Sequence, residues 1–340
     1  MGTKPRMAAV RVGVIGCGRA AAELHLPALA RLPGVRVSAA ADPDAAQLKL
    51  ACDPWGIERQ YADYRELIVD RSVDALLISV PTPMHYEIFS ASVRSGKHIY
   101  VEKPLALTLG QADRMLADAA WATGQVTVGF NLRSHRLVRK ARELVRSGAL
   151  GPIVLLRTLW VGGARKHPDW HSRSEEGGGV LYELGAHHFD LWRFLLDTEV
   201  VHVEAQDRME WSDDSRAVVT ARMLNGATAS SIFTFCGPAT HEIEVIGEAA
   251  SLRFSVYRAD SLEIRPTGRI GQLEQWLRQL PGAARTAMLG GDYLDSVQTH
   301  WSRFLDSIEG GESPATLLNG RESLRIIRVA MDSLSHKEMV

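Results

Sequence analysis

The chain has 340 residues, a length that suits two domains of ordinary size, and its 46% hydrophobic and 23% charged residues are typical of a globular soluble protein. A formal net charge of −1 leaves no basic excess to neutralise phosphates, so we expect no nucleic-acid partner. No run approaches the roughly 18 apolar residues of a membrane helix, and the short apolar stretch near the start is typical of a strand rather than a signal peptide. The three cysteines, Cys17, Cys52 and Cys236, predict neither a disulfide framework nor a metal site, which favours a cytoplasmic location.

The first part of the chain alternates short apolar runs with segments of helical periodicity. The predicted strands, rich in Val and Ile, are Val10–Ile15, Val35–Ala41, Ala75–Val80, His98–Val101 and Val126–Phe130. The predicted helices are Ala20–Leu32, Asp44–Trp55, Tyr64–Val69, Met84–Ser95 and Leu109–Thr123. This alternation predicts a doubly wound parallel sheet in a first domain over residues 1–128.

The second part has a different pattern, which predicts an α/β domain over residues 129–340. The predicted strands are Ile153–Val161, Val200–Gln206, Ala217–Met223, Thr228–Phe235, Glu242–Ile246 and Ser251–Val256. The predicted helices are Leu137–Arg146, Val180–Leu196, Tyr293–Glu309 and Arg321–Lys337, with a less certain one at Leu273–Leu280. Asn225-Gly226 is a strong hairpin signal, and hairpin connections make an antiparallel sheet.

A glycine-rich turn follows the first predicted strand and precedes the first helix. Its pattern is Gly16-x-Gly18-x-x-Ala21, with Cys17, Arg19 and Ala20 between. In such a turn the first glycine permits the tight bend, the second lets a pyrophosphate approach the backbone, and the small third residue lets helix and strand pack closely. Free N–H groups at the helix N-terminus would bind the phosphates.

An acidic residue, Asp42, follows the second predicted strand at the position where a carboxylate binds the adenosine ribose hydroxyls of a dinucleotide. The alternative is that Asp42 caps the helix that begins after Pro43. A carboxylate there repels a 2′-phosphate, so the sequence predicts NAD as the cofactor in preference to NADP.

Five segments together resemble the Gfo/Idh/MocA oxidoreductases, the family of glucose–fructose oxidoreductase and inositol dehydrogenase. The segments are GVIGCGRAA, DYRELIVDRSVDALLISVPTPMHYE, SGKHIYVEKPLA, GFNLR and GGGVLYELGAHHFD. The resemblance runs over nearly the whole chain. It implies an N-terminal Rossmann domain and a C-terminal α/β domain with an open, mostly antiparallel sheet, through which members of the family commonly form oligomers.

The resemblance also implies roles for single residues. Pro81, Thr82 and His85 match the family's loop near the nicotinamide ribose, and Glu102 and Lys103 match the residues beside the nicotinamide. Lys103 is then the proton-relay lysine, and the Lys103–Pro104 peptide is expected to be cis.

A second candidate group comes from the segment after the triple glycine. Glu183 and His187 are four residues apart on a predicted helix and so share one face. Histidine suits proton transfer near neutral pH, and the family has a catalytic histidine at this position. The family's usual aspartate is replaced by Glu183, whose longer side chain shifts the carboxylate. The alternative for His187 is a histidine with a structural role in the helix.

Four further residues are candidate substrate contacts. Asn131 and Arg133 follow a strand and match the family's N-x-R segment, with a solvated loop arginine as the alternative. Trp170 and His171 precede the triple glycine and are candidates for a wall of the substrate pocket, or else for loop anchors. The histidines have no metal-ligand spacing apart from the Glu183/His187 pair, so no metal is expected.

These features predict an NAD(H)-dependent oxidoreductase that interconverts a secondary alcohol and a ketone on a sugar, cyclitol or sugar nucleotide. We expect a homodimer or homotetramer formed through the C-terminal sheet, with no nucleic acid or membrane partner. Three alternatives stay open: a glycoside-cleaving or epimerising enzyme that uses transient oxidation, an imine or non-sugar carbonyl reductase, and a non-catalytic NAD sensor.

Overall fold

The structure, a computed structural model, describes residues 9–162, 177–206, 215–257, 262–266 and 292–335. The chain divides into two compact units. The first comprises Met1–Gly129 with Val297–Leu318, and the second comprises Phe130–Ser296 with Asn319–Val340. The domain boundary between residues 128 and 129 remains a prediction, and the two units are described separately below.

A six-stranded sheet forms the first unit. Its strands are β1 (Val10–Ile15), β2 (Val35–Ala41), β3 (Arg59–Tyr61), β4 (Ala75–Ile78), β5 (His98–Val101) and β6 (Val126–Val128). The strand order is β3-β2-β1-β4-β5-β6 and every pair is parallel. This is the Rossmann order, so the predicted doubly wound sheet is confirmed.

Helices alternate with these strands as predicted. They are α1 (Leu26–Ala30), α2 (Ala45–Cys52), α3 (Tyr64–Val69), α4 (His85–Ser92) and α5 (Leu109–Asp118). The helix predicted over Ala20–Leu32 is instead a π-helical turn, Ala21–His25, followed by α1. Pro27 accounts for the break, because it has no N–H to donate to the preceding turn.

The chain returns to the first unit near its end. The helix α8 (Asp292–Ile308) contributes its residues from Val297 onward to that unit. The Trp301 ring stacks on the Tyr100 ring at 4.3 Å, and His300 Nε2–H donates to the Val128 carbonyl at 2.9 Å. This packing joins α8 to strands β5 and β6.

A seven-stranded sheet forms the second unit. Its strands are β7 (Ile153–Val161), β8 (Val200–Gln206), β9 (Arg216–Met223), β10 (Thr228–Thr234), β11 (Thr240–Gly247), β12 (Ala250–Ser255) and β13 (Glu263–Pro266). The order is β13-β12-β11-β7-β10-β9-β8, antiparallel except for the parallel pair β7–β10. The predicted mostly antiparallel sheet is confirmed, and β9 and β10 join at the predicted hairpin of Asn225 and Gly226.

One face of this sheet is covered and the other is open, as the alternation of buried and exposed residues along β9 shows. The helices of the unit are α6 (Arg136–Arg146), α7 (Ala186–Leu196) and α9 (Leu317–Ser335). Every residue of α7 is buried. The Ser323 hydroxyl of α9 donates to the Ala186 carbonyl at 2.7 Å, which fastens α9 to the start of α7.

Candidate active site

The glycine-rich turn has the geometry that the sequence predicts. Gly16 has φ +89°, and a Cβ there would lie 2.3 Å from the Ser79 carbonyl oxygen. Any other residue at this position would therefore displace the backbone of Ser79, which directly follows β4. A Cβ at Gly18 would meet nothing within 4 Å, so the space in front of this backbone is open. Ala21 is fully buried, whereas the Arg19 side chain is exposed. The turn therefore fits a dinucleotide pyrophosphate lying against its backbone.

Asp42 is tied directly to this turn. Its Oδ2 accepts from the Cys17 N–H at 2.8 Å, and its Oδ1 accepts from the Asp44 N–H at 2.9 Å. The cap of α2 is Asp44, whose carboxylate accepts from the N–H groups of Ala46 and Gln47. The alternative role for Asp42, as the cap of this helix, is therefore wrong. Asp42 braces the glycine turn and stays partly exposed at the end of β2.

Beneath the turn, Cys17 lies against Cys52, the last residue of α2, and both thiols are buried. Their mutual hydrogen bond raises the pKa of Cys17 and lowers that of Cys52. Spacing along the sequence gave no sign of this contact.

His85 connects two of the predicted cofactor loops. One ring nitrogen, Nδ1, lies 2.9 Å from the Pro104 carbonyl, and the other, Nε2, lies 2.9 Å from the Val80 carbonyl. Burial lowers the pKa of His85. The ring thus holds the loop of Pro81 and Thr82 against the loop that follows β5. Thr82 is buried in a short 3-10 turn that begins α4, and Pro81 is exposed.

Glu102 follows β5 and carries a network that the sequence did not reveal. His25 Nε2–H donates to Glu102 Oε1 at 2.9 Å, and the Lys103 N–H donates to Oε2 at 3.1 Å. Burial opposes ionisation, but the hydrogen bond and the charge of His25, followed by the charge and the N–H of Lys103, outweigh it, so the pKa of Glu102 is lowered. The Lys103–Pro104 peptide is cis, as expected from the resemblance.

In the second unit, His187 lies in the first turn of α7 and is 2% exposed. Its ring centroid is 5.6 Å from that of Trp160 and 6.3 Å from that of Phe130. The preceding turn, Leu181–Gly185, is π-helical and contains Glu183, so the predicted α-helix starts later than expected. Such turns recur at functional sites.

The neighbouring His188 is buried in a polar network of the covered sheet face. Its Nδ1 lies 2.6 Å from Thr158 Oγ1, and its Nε2 lies 2.8 Å from His241 Nε2. Ser231 Oγ lies 2.5 Å from Thr158 Oγ1 and accepts from Trp192 Nε1–H at 3.1 Å. Burial lowers the pKa of His188 to about 3, and burial together with the nearby histidines lowers that of His241.

Two of the predicted substrate contacts in the second unit form hydrogen bonds with other side chains of the same unit. The Asn131 amide donates to Ser296 Oγ at 2.7 Å. The Arg133 guanidinium binds both carboxylate oxygens of Asp190, at 2.7 and 2.6 Å, and is nine-tenths buried. The alternative of a solvated loop arginine is therefore wrong. Trp170 and His171 lie outside the described residues, as does the helix predicted at Leu273–Leu280.

In the described part of the chain, no group of three or more His, Cys, Asp or Glu side chains is arranged to hold a metal ion. No helix in those ranges is long and apolar enough to cross a membrane.

Comparison with known sequences places both parts of the chain in one family. A model of the oxidoreductase family with an NAD-binding Rossmann fold, GFO/IDH/MocA, matches residues 10–130. A model of the GFO/IDH/MocA C-terminal domain matches residues 138–253.

Curated relatives align over most of the chain. The myo-inositol 2-dehydrogenase of Thermotoga maritima is 29% identical over 345 residues, which cover 97% of this chain and 98% of the relative. The NAD(+)-dependent scyllo-inositol 2-dehydrogenase of Bacillus subtilis is 25% identical over 265 residues, 75% of this chain and 76% of the relative. A levoglucosan dehydrogenase solved with NADH and levoglucosan superposes with a TM-score of 0.84 at 23% identity, over 96% of this chain and 97% of that one. At that identity the likeness shows the shared fold.

Proposed function

The chain belongs to the Gfo/Idh/MocA family of oxidoreductases with an NAD-binding Rossmann fold, and from that premise we propose that it interconverts a secondary alcohol and a ketone on a sugar or cyclitol. Sugar nucleotides belong to the same proposed substrate class. The relatives named for inositol and levoglucosan support this choice.

One observation carries the proposal: the candidate groups of the first unit follow four parallel strands at their carboxyl ends. The glycine turn follows β1 and Asp42 follows β2, while the loop of Pro81 follows β4 and the Glu102-Lys103 pair follows β5. Carboxyl ends of parallel strands lie at one edge of a sheet, which is where ligands bind in such folds.

NAD, when bound, supplies the hydride acceptor or donor, and the side chains of the chain move the protons. Lys103 is the proposed group that takes the proton from the substrate hydroxyl or returns it. His187 is the proposed partner in proton transfer, with Glu183 orienting it or binding a substrate hydroxyl. The proposed substrate contacts remain Asn131, Arg133, Trp170 and His171. Of these, Asn131 and Arg133 act through the loop that they hold in place.

Asp42 is the proposed determinant of NAD over NADP. Each of its carboxylate oxygens accepts one backbone N–H and retains a lone pair for a ribose hydroxyl. We expect NAD to bind more tightly than NADP, with the difference shrinking in Asp42→Asn, because the amide removes the charge that repels a 2′-phosphate. Isothermal titration with both cofactors measures this. Equal affinities in the natural protein would remove the assigned role.

The reaction is tested by incubating the protein with NAD and a panel of polyols, cyclitols and glycosides, with NADH followed at 340 nm. We expect net NADH and a loss of about 100-fold or more in Lys103→Ala and His187→Ala. Lys140→Ala and His202→Ala are matched controls, because both side chains are exposed and pair with a surface glutamate. If Lys103→Ala and His187→Ala keep turnover within a few-fold of the natural protein, the assignment of these two residues is wrong. Turnover without net NADH would instead indicate transient oxidation.

The open face of the seven-stranded sheet is the proposed surface for a homodimer or homotetramer. Val218, Ile232 and Leu159 lie opposite one another on β9, β10 and β7, and Val218 and Ile232 are 38% and 40% exposed. We expect Ile232→Glu to lower the oligomeric state, because it puts a charge into this apolar row. Light scattering measures the molar mass, and an unchanged mass would place the interface elsewhere.

A further inference from the structure

We propose that Trp301 and His25 are positioning residues that hold Glu102 as a fixed carboxylate beside Lys103. The inference rests on the proposed function, in which Lys103 moves the substrate proton. Three groups form a continuous chain: Trp301 Nε1–H donates to His25 Nδ1 at 2.9 Å, and His25 Nε2 lies 2.9 Å from Glu102 Oε1.

The direction of this chain follows from its first member. An indole N–H can only donate, so His25 Nδ1 is an acceptor and carries no proton. The ring proton therefore lies on Nε2, which donates it to Glu102. The bond from Trp301 therefore fixes both the orientation and the tautomer of the His25 ring.

The carboxylate of Glu102 is held at both of its oxygens. Oε1 accepts from His25, and Oε2 accepts the Lys103 backbone N–H at 3.1 Å. The network thus fixes the negative charge of Glu102 beside Lys103.

Packing holds the hydrogen-bonded chain of Trp301, His25 and Glu102 in place. Trp301 is fully buried and His25 is 1% exposed. Tyr100 stacks on Trp301 at 4.3 Å and meets the His25 ring edge-on at 5.4 Å. Gly129 leaves the room that Glu102 needs, since a Cβ there would lie 2.4 Å from Oε1.

The test compares three variants. His25→Gln keeps both bonds, because its amide oxygen accepts from Trp301 and its NH₂ donates to Glu102. We expect it to retain kcat within about threefold, whereas His25→Leu, which breaks both bonds, loses tenfold or more. Trp301→Phe removes the N–H that orients the His25 ring, and we expect it to lower kcat about fivefold while KM stays within about twofold.

Trp121→Phe is the matched control, since Trp121 is 64% exposed in the same unit, and its kcat and KM should not change. A His25→Leu enzyme with the same kcat as His25→Gln, or a Trp301→Phe enzyme with the natural kcat, would overturn the proposal.

Imidazole ¹⁵N NMR gives a reading that needs no substrate. We expect His25 in the natural protein to be the Nε2–H tautomer, and we expect Trp301→Phe to lose this single tautomer. An Nδ1–H tautomer of His25 in the natural protein would overturn the inference even in an active enzyme. The expected tautomer in a protein that turns over no panel compound would defeat the proposed function and leave the inference standing.

Discussion

Each unit of the molecule buries a histidine in a hydrogen-bonded chain that starts at a tryptophan N–H, and the two chains end differently. In the first unit the chain runs from Trp301 through His25 to the carboxylate of Glu102. In the second it runs from Trp192 through two hydroxyl groups to His188 and then to His241. The first ends on a charge, whereas every member of the second is neutral.

Only the first bond of the second chain has a fixed direction. The Trp192 N–H donates to Ser231, but a hydroxyl oxygen can accept two hydrogen bonds, so either hydroxyl can be the donor between Ser231 and Thr158. In the bond between His188 Nε2 and His241 Nε2, one nitrogen carries the proton and the other accepts it. His241 Nδ1 is buried and has no hydrogen-bond partner among the described residues.

The two chains differ in the charge that they place near a proposed catalytic residue. Glu102 supplies a negative charge next to Lys103. His188 and His241 lie with His187 around Trp160. Burial lowers the pKa of both His188 and His241, so neither places a fixed positive charge beside His187.

The largest expected effect is on acid stability, and it comes from the second chain. His188 and His241 have lowered pKa values in the folded protein, so below about pH 6.5 the unfolded chain binds protons that the folded chain does not. Their stabilising contribution is complete above that pH and is lost as the pH falls toward 3, by about 1.4 kcal/mol per pH unit for each histidine.

Urea unfolding at pH 7, 6 and 5 measures this loss in the natural protein and in His188→Leu. We expect the variant to have the shallower decline, because it lacks one of the protonating groups. His202→Leu, at an exposed histidine of β8, should keep the natural slope. Equal slopes for all three proteins would mean that His188 is already charged in the folded state.

The next largest effect tests whether the hydrogen bond between His188 and His241 stabilises the fold or whether the two rings only fill space. His241→Leu leaves His188 Nε2 buried without a hydrogen-bond partner, which should cost about 1–3 kcal/mol of unfolding free energy at pH 7. His241→Gln provides an amide that can donate to or accept from that nitrogen and should cost less. Urea unfolding ranks the two variants. A leucine variant as stable as the glutamine variant would show that the hydrogen bond contributes nothing.

Sequence periodicity predicted the interior strands of both sheets and two of the four edge strands, β6 and β8. Strands β1, β2 and β5 begin and end at the predicted residues, because buried parallel strands are short runs of apolar residues. The edge strands β3 and β13 were missed, since Arg59–Tyr61 and Glu263–Pro266 are short and polar. Edge strands need no apolar face on both sides, so they leave little pattern in a sequence.

The candidate site was also only partly predictable. Gly16 could be selected from the glycine pattern after a predicted strand, and Glu102 and Lys103 from their match to the family's motif. His25 and Trp301 are 276 positions apart, and only the packing of α8 on the first sheet brings them together. Arg133 was predicted as a substrate contact because it follows a predicted strand and matches the family's N-x-R segment, but the burial of its partner Asp190 is a tertiary feature.

The smallest expected effect tests whether the first chain depends on the position of Glu102 or only on its charge. Gly129→Ala keeps every charged group but puts a Cβ 2.4 Å from Glu102 Oε1, so the carboxylate must turn away from His25. We expect kcat to fall by about tenfold, or about 1.4 kcal/mol in the barrier, with the folded structure retained because Gly129 does not have a left-handed backbone conformation.

Gly110→Ala is the matched control, because a Cβ there meets nothing within 4 Å in the first turn of α5, and its kcat should be unchanged. Circular dichroism confirms folding of both variants, and the ¹⁵N signal of His25 reports whether its bond to Glu102 is lost. A Gly129→Ala enzyme with full kcat and a displaced carboxylate would mean that the negative charge alone suffices. The fixed geometry that distinguishes the first chain would then have no part in positioning Lys103.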